Sequence, residues 1–236
     1  MSKHILDRPV FNALSTRQAE FAVGGALAKR FQADISPLTS AKDDSPEALA
    51  ELGALVPSEG TILVVQADPV VVPQGARELS SAICVQMIAD RLTPVSHELD
   101  HRIEPLSERD WPEMLALATM TKPGPFVSRT PKLGEFFGIK ENGRILAMAG
   151  ERMKMPGFEE VSGVCVHPDA RGRGFARVLS AFVAERILKR GATAFLHSYS
   201  NNAAAIGLYE SLGFRVRTTM NVVGLARSNA NQSGSE

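Results

Sequence analysis

The sequence predicts an α/β fold, a mixed sheet flanked by helices, and three observations carry that reading. A short apolar strand at Val164, Cys165 and Val166 runs through a glycine-rich arginine loop into a helix. In that helix Val178, Leu179, Phe182, Val183 and Ile187 recur at three- and four-residue spacing before Gly191. From Asn202 the stretch NAAAIGLYESLGF reads as a second helix of good formers, with Gly213 as its stop and Phe214 opening a strand. Upstream, two apolar runs at 136–140 and 145–153 flank Glu141-Asn142-Gly143, whose Asn-Gly pair is a hairpin signal.

The remaining elements follow from the same periodicities. Residues 17–30 have the spacing of an amphipathic helix, 37–45 read as a polar connection, and 46–55 as a helix. A short apolar strand at 61–66 precedes a helix at 78–91 with Ile83, Met87 and Ile88 on its apolar side. These predict an αβα N-terminal domain over residues 1–98, ending in the charged, Pro94-broken stretch 92–100. A second domain, 99–227, starts with a strand at 102–106 and a helix at 107–120. Ser107 and Asp110 form a capping-box variant there, with Pro112 in the first turn. Strands at 160–166, 194–199 and through 214–226 complete it, and SNANQSGSE at 228–236 has the composition of a disordered tail.

Composition narrows the function classes. Lys plus Arg and Asp plus Glu are 26 each, so no net field draws the molecule to nucleic acid or to an anionic membrane, and neither is expected as a partner. Hydrophobic residues make up 44% of the 236, enough for a core. The two cysteines, Cys84 and Cys165, imply no disulfide framework, and the N-terminal MSKHILDRPVFNAL lacks a sustained apolar run. The expected home is a reducing cytoplasm, as a monomer or homodimer. His97-Glu98-Leu99-Asp100-His101 matches the HExxH zinc pattern, but Pro94 and Pro105 bracket it and a strand follows directly. No metal is therefore expected, and a zinc metalloprotease is the most distant of the functional readings.

The loop VCVHPDARGRGFA suits an anion. A helix N-terminus presents unpaired N–H groups and the positive end of the macrodipole, Gly172 and Gly174 allow close backbone approach, and Arg171, Arg173 and Arg177 add charge. Neither a P-loop ending nor a full dinucleotide fingerprint is present. Alone, the loop also fits a solvated basic turn. Tyr209 alone also fits a core-edge tyrosine, and Asn202 a plain helix cap.

Taken together, the two helices and their loop resemble the acetyl-CoA-dependent N-acetyltransferases of the GNAT superfamily, over roughly residues 101–227. The TKPGPF stretch at 121–126 is similar to the FR47-like branch. The family's pyrophosphate pattern falls here on Arg171, Gly174 and Ala176, within a loop that includes Gly172, Arg173, Phe175 and Arg177, and Asn202 opens the second helix. The resemblance implies the GNAT fold, acetyl-CoA as cosubstrate, an amine acceptor, and a preceding domain that is a candidate degenerate relative. It further implies oxyanion donors on the strand Val164, Cys165, Val166, and Tyr209 as the acid that protonates the departing thiolate. Glu160 and His197 are the two candidate bases. Glu160 lies eleven residues before Arg171, where histone-acetylating members carry their base. His197 lies twelve before Tyr209, where N-terminal acetylating members carry a glutamate. An amine with pKa ~10.4 or ~7.7–8.0 must lose its proton, and a thiol of pKa ~8.5 must regain one from a tyrosine of pKa ~10. Alternation puts Glu160, Ser162, Val164 and Val166 on one expected face. The histidine at 197 keeps open a second reading, a coenzyme A-binding or sensing module without turnover.

Overall fold

A computed structural model describes residues 4–95 and 102–228, and among them eleven strands form one sheet. In chain order these are helix α1 (Pro9–Leu14), strands β1 (Ala22–Gly24), β2 (Ala28–Phe31) and β3 (Leu38–Ala41), helix α2 (Pro46–Leu55), and strands β4 (Ile62–Gln66) and β5 (Ala76–Ala89). There follow β6 (Ile103–Pro105), α3 (Trp111–Thr121), β7 (Phe136–Glu141), β8 (Arg144–Met155), β9 (Phe158–Val166), α4 (Phe175–Lys189), β10 (Thr193–Tyr199), α5 (Ala203–Ser211) and β11 (Arg215–Arg227). The spatial order is β1-β2-β3-β4-β11-β5-β10-β9-β8-β7-β6, antiparallel except at β3/β4 and β9/β10. It is a mixed α/β architecture, as the sequence predicts.

Several elements differ from expectation. Residues 17–30 are not a helix. Gly24 and Gly25 break the run into a hairpin, β1 paired with β2, because two consecutive glycines favour a turn over a helical interior. The polar connection 37–45 contains β3, whose four residues are all buried. Residues 78–91 are not a helix but most of the fourteen-residue β5. The segment misleads because the half from Cys84 is covered on both faces, so apolar side chains follow one another as in a buried helix. Residues 214–226 form one long strand. The αβα order expected for residues 1–98 is therefore not what the described residues 4–95 adopt, and their strands β1 to β5 instead share the sheet. β11 lies between β4 and β5, and β5 lies between β11 and β10. The HExxH string at 97–101 and the tail 229–236 lie outside the described residues.

Helix α4 packs Val178, Leu179, Val183 and Ile187 against one sheet face, with Tyr209 from α5 and Leu212 at its C-cap in the same core cluster. The opposite face is covered by α1, through Val10 and Leu14, with Leu6 from the turn before it, and by α3, through Met114, Leu117 and Ala118. Ser107 donates through both its N–H and its hydroxyl to the Asp110 carboxylate (2.7 and 2.9 Å), and Pro112 sits in the first turn of α3, as the capping pattern predicts. The β7–β8 hairpin turns on Asn142 (φ 51°) and Gly143 (φ 77°), the two positive-φ positions that an Asn-Gly turn supplies.

Candidate active site

The site is built on a split in the sheet. Parallel strands β9 and β10 pair only at Phe158/Thr193, Glu159/Ala194 and Glu160/Phe195, and diverge beyond that point. The split is deepened by a bulge. Cys165 pairs with Met148 but Ser162 with Gly150, so β9 spends three residues where β8 spends two. Gly163 takes up the extra residue at φ 62°, and a Cβ there would meet the Phe136 ring at 2.8 Å. The bulge reverses the alternation expected along this strand. Val161, Val164 and Val166 join the α4-side cluster, Cys165 turns to α3, and Glu160 points to the other face from Val164.

Helix α4 begins at this split. Gly172 and Gly174 have φ of 77° and 78°, and a Cβ on either would meet no atom within 4 Å, so open space faces the loop. The first helical bond is Val178 N–H to Gly174 O (3.1 Å), which leaves the N–H groups of Phe175, Ala176 and Arg177 without an intrahelical acceptor. The arginines divide. Arg173 is tied to Glu141, with Arg102 on the same carboxylate, and these guanidinium groups hold Glu141 down to about 2. Arg173 also stacks over the Phe175 ring, which is core. Arg177 donates to Ser211. Arg171 is exposed; its backbone N–H donates to Pro168 O (3.2 Å), and its guanidinium has no partner among the described residues. The anion-binding capacity therefore rests on Arg171, two open glycines and backbone N–H groups.

A cavity of about 370 Å³ passes through the split. Val164, Ala176, Asn202, Ala205, Leu208 and Tyr209 line it on the α4/α5 side, and His197, Tyr199, Arg152, Cys84, Leu38, Leu63, Val65 and Val222 on the other. The structure thus gathers Val164, Ala176, His197, Asn202 and Tyr209 around one space. Asn202 accepts from Ala205 N–H (3.2 Å), capping α5 while lining the cavity. The Tyr209 hydroxyl has no hydrogen-bond partner among the described residues. Burial, with the nearby Cys165, pushes it up to about 12, so it keeps its proton at neutral pH. Cys165 is itself pushed up to about 12 by burial and stays a thiol.

Glu160 and His197 meet, but not as free bases. Glu160 is fully buried. Burial alone would raise its pKa, yet Arg152 outweighs burial and holds it at about 2. Arg152 donates through Nε to Oε2 (2.8 Å) and through Nη2 to Oε1 (2.7 Å), and Met153 N–H adds a third bond (3.3 Å). His197 Nδ1 lies 2.8 Å from Glu160 Oε1, and its Nε2 lies 3.0 Å from Gln86 Nε2. The Gln86 amide is oriented independently. Its oxygen accepts from Arg217 Nε (2.5 Å), and its nitrogen donates to Leu6 O (3.0 Å). Its second N–H therefore donates to His197 Nε2, which fixes the Nδ1–H tautomer, with that N–H given to Glu160. Arg217 is held in turn by Asp7 (2.6 Å).

Arg152, Gln86 and the N-terminal apolar wall are absent from the sequence expectations. One signal was available, since the Glu151-Arg152 pair within β8, preceded by the six uncharged residues 145–150, implies buried charge with partners. Gln86 was hidden by the helical reading of β5. Among the described residues no group of three or more His, Cys, Asp or Glu could hold a metal ion, and no helix is long and apolar enough to cross a membrane.

The comparison that decides the family is with a protein from Novosphingobium aromaticivorans, assigned to the GNAT family of acetyltransferases. It is 44% identical over 96% of this chain and 100% of that one, at a TM-score of 0.88. The chain belongs to the GNAT family. Residues 136–223 match the family model described as FR47-like protein. A GCN5-related N-acetyltransferase from Kribbella flavida shares the fold at 16% identity, covering 95% of this chain and 97% of that one with a TM-score of 0.61. The [ribosomal protein bS18]-alanine N-acetyltransferase of Escherichia coli K12 is 36% identical over 83 residues, 35% of this chain and 55% of that protein. The chain thus spans about half the length of the curated relatives it matches.

Proposed function

We propose that this GNAT protein is an acetyl-CoA-dependent N-acetyltransferase acting on a primary amine. The observation that carries the proposal is the cavity through the β9/β10 split, with the open N-terminus of α4 at one end and, inside, the Tyr209 hydroxyl without a partner among the described residues. Acetyl-CoA, when bound, supplies the thioester. Arg171, the Gly172–Gly174 backbone and the first N–H groups of α4 would hold its diphosphate, and backbone N–H groups of β9 beyond Glu160 would donate to the developing oxyanion. The amine nitrogen bonds to the acetyl carbon as the carbon–sulfur bond breaks. One proton leaves nitrogen and one reaches sulfur.

At a pKa of about 12, Tyr209 is a weak acid toward a thiol of ~8.5, so its contribution is a hydrogen bond that stabilises the departing thiolate. We assign Glu160 and His197 to positioning. Protonating His197 Nε2 would set it against the Gln86 N–H, and the Glu160 oxygens are shared among Arg152, Met153 and His197. On this reading the acceptor enters as the neutral amine. Two buried free cysteines are consistent with a reducing cytoplasm.

The test is a screen of amines, amino acids and peptides with acetyl-CoA, monitored by thiol release and by mass of the acetylated product. Turnover of at least one class is expected. The second reading, coenzyme A binding without turnover, draws on the same fully engaged Glu160 and His197, and would replace the first if the coenzyme bound but no amine were acetylated.

A further inference from the structure

We infer that the acceptor carries a carboxylate next to its amine, and that Arg152 recognises it. The substrate class is then the α-amino acids with apolar side chains. This rests on the N-acetyltransferase reading above and adds the acceptor to it.

Three features of the cavity point the same way. The first is charge, since among the described residues its lining includes Lys122 and Arg152 and no carboxylate, and Glu160, turned away to Arg152, Met153 and His197, offsets only one of the two cations. A polyamine, an aminoglycoside-like polycation or a lysine side chain would bring positive charge to a wall where no acid among the described residues is free to receive it. The second is Arg152 itself, 8% exposed, which gives Nε and Nη2 to Glu160 and leaves Nη1 with no hydrogen-bond partner among the described residues. A buried guanidinium edge facing a cavity is complete only when an acceptor meets it, and a carboxylate, with two oxygens in one plane, is the acceptor that matches its geometry. The third is preorganisation. The chain from Asp7 through Arg217, Gln86, His197 and Glu160 fixes the guanidinium before any ligand arrives, so little ordering remains when the ligand binds.

The opposite wall selects the rest of the acceptor. Leu38, Leu63, Val65, Cys84 and Val222, from β3, β4, β5 and β11, offer an apolar surface beside Arg152. In an α-amino acid one carbon joins amine, carboxylate and side chain. With the carboxylate on Arg152 and the side chain on this wall, the amine is free to face the split at Val164. A peptide N-terminus would place a neutral amide there, offering the open Arg152 edge one acceptor oxygen in place of a carboxylate's two.

The experiment measures acetyl transfer by the full-length protein to L-leucine, L-methionine and L-valine, beside L-leucinamide, 3-methylbutylamine, a leucine-initiated peptide amide and putrescine. At least one of the amino acids should exceed its carboxylate-free counterparts by ~10- to 100-fold in kcat/KM, mostly through KM, the scale of a lost charge-assisted hydrogen bond. Arg152→Lys should raise the amino acid's KM about tenfold or more, leave the KM for acetyl-CoA unchanged, and narrow the acid-to-amide discrimination. If that variant does not fold, the acid-to-amide ratio of the unaltered protein decides alone. Leucinamide, the amine or the peptide amide used as well as the amino acids would overturn the inference, as would no turnover of any apolar amino acid. Stabilisation by acetyl-CoA is read separately. If it persists while amino acids fail, only the acceptor assignment falls. If it too is absent, the acetyltransferase reading falls with it.

Discussion

The Tyr209 hydroxyl faces the cavity without a protein partner among the described residues, and burial keeps it protonated, so its removal isolates a single interaction. Tyr209→Phe should lower kcat by ~10- to 100-fold, the scale of a hydrogen bond to a charged group, while the Kd for acetyl-CoA stays within about twofold. Steady-state and pre-steady-state rates of thiol release check this, and an unchanged rate of the chemical step would remove Tyr209 from the mechanism. Glu160 differs, because its charge stabilises the fold. Its folded pKa of about 2 lies below the ordinary 4.5, so its contribution is fully present above about pH 4.5 and is lost as pH falls toward 2. Glu160→Gln leaves Arg152 buried and unpaired, which costs on the order of 3–5 kcal/mol at pH 7, or roughly 6–20 °C in Tm. Between pH 5 and pH 3 the variant's Tm should fall less than that of the unaltered protein, as thermal melts across that range would record. Tyr209, Asn202 and the glycine loop were legible in the sequence because each lies in a local motif. Arg152 and Gln86 were not, because their roles come from partners 8 and 111 residues away in sequence.

At the level of elements, the helices α4 and α5 could be read because each buries one stripe and ends in a glycine signal. The strand β5 could not, because its second half is buried on both faces and alternation carries no polarity contrast there. The bulge at Gly163 was equally hidden, since one glycine in a strand does not say which way the register slips. Both omissions matter to the site. β5 pairs with β10 from Cys84/Tyr199 to Ala89/Ala194 and with β11 along almost its full length. A chain starting at residue 102 lacks this strand, leaves the inner edges of β10 and β11 unpaired, and loses the Gln86 contact to His197. It should therefore be insoluble or molten rather than a stable small domain, with no cooperative melting transition. A soluble, cooperatively folding fragment that binds acetyl-CoA would contradict this account of β5.

Across the whole molecule, two parts of the chain meet at one cavity. Residues 136–223, which match the FR47-like family model, bring the loop, the split and Tyr209, and residues 38–84 bring the apolar wall opposite Arg152. The GNAT fold was legible from residues 136–223 through their paired motifs. The strand content of residues 4–95 was not legible as such, because β4 and β5 also find partners far along the chain, with β4 beside β11 and β5 between β11 and β10. The central claim is that the split and the α4 loop form a coenzyme site, and thermal denaturation with and without acetyl-CoA tests it most directly. A ligand confined to the native state at 100 times its Kd adds ~2.7 kcal/mol, so Tm should rise by roughly 5–10 °C at saturation. Gly174→Glu places bulk and negative charge where the loop now faces open space, and should abolish the rise while leaving the ligand-free Tm within a few degrees. No rise in the unaltered protein, or an equal rise in a folded Gly174→Glu variant, would contradict the claim.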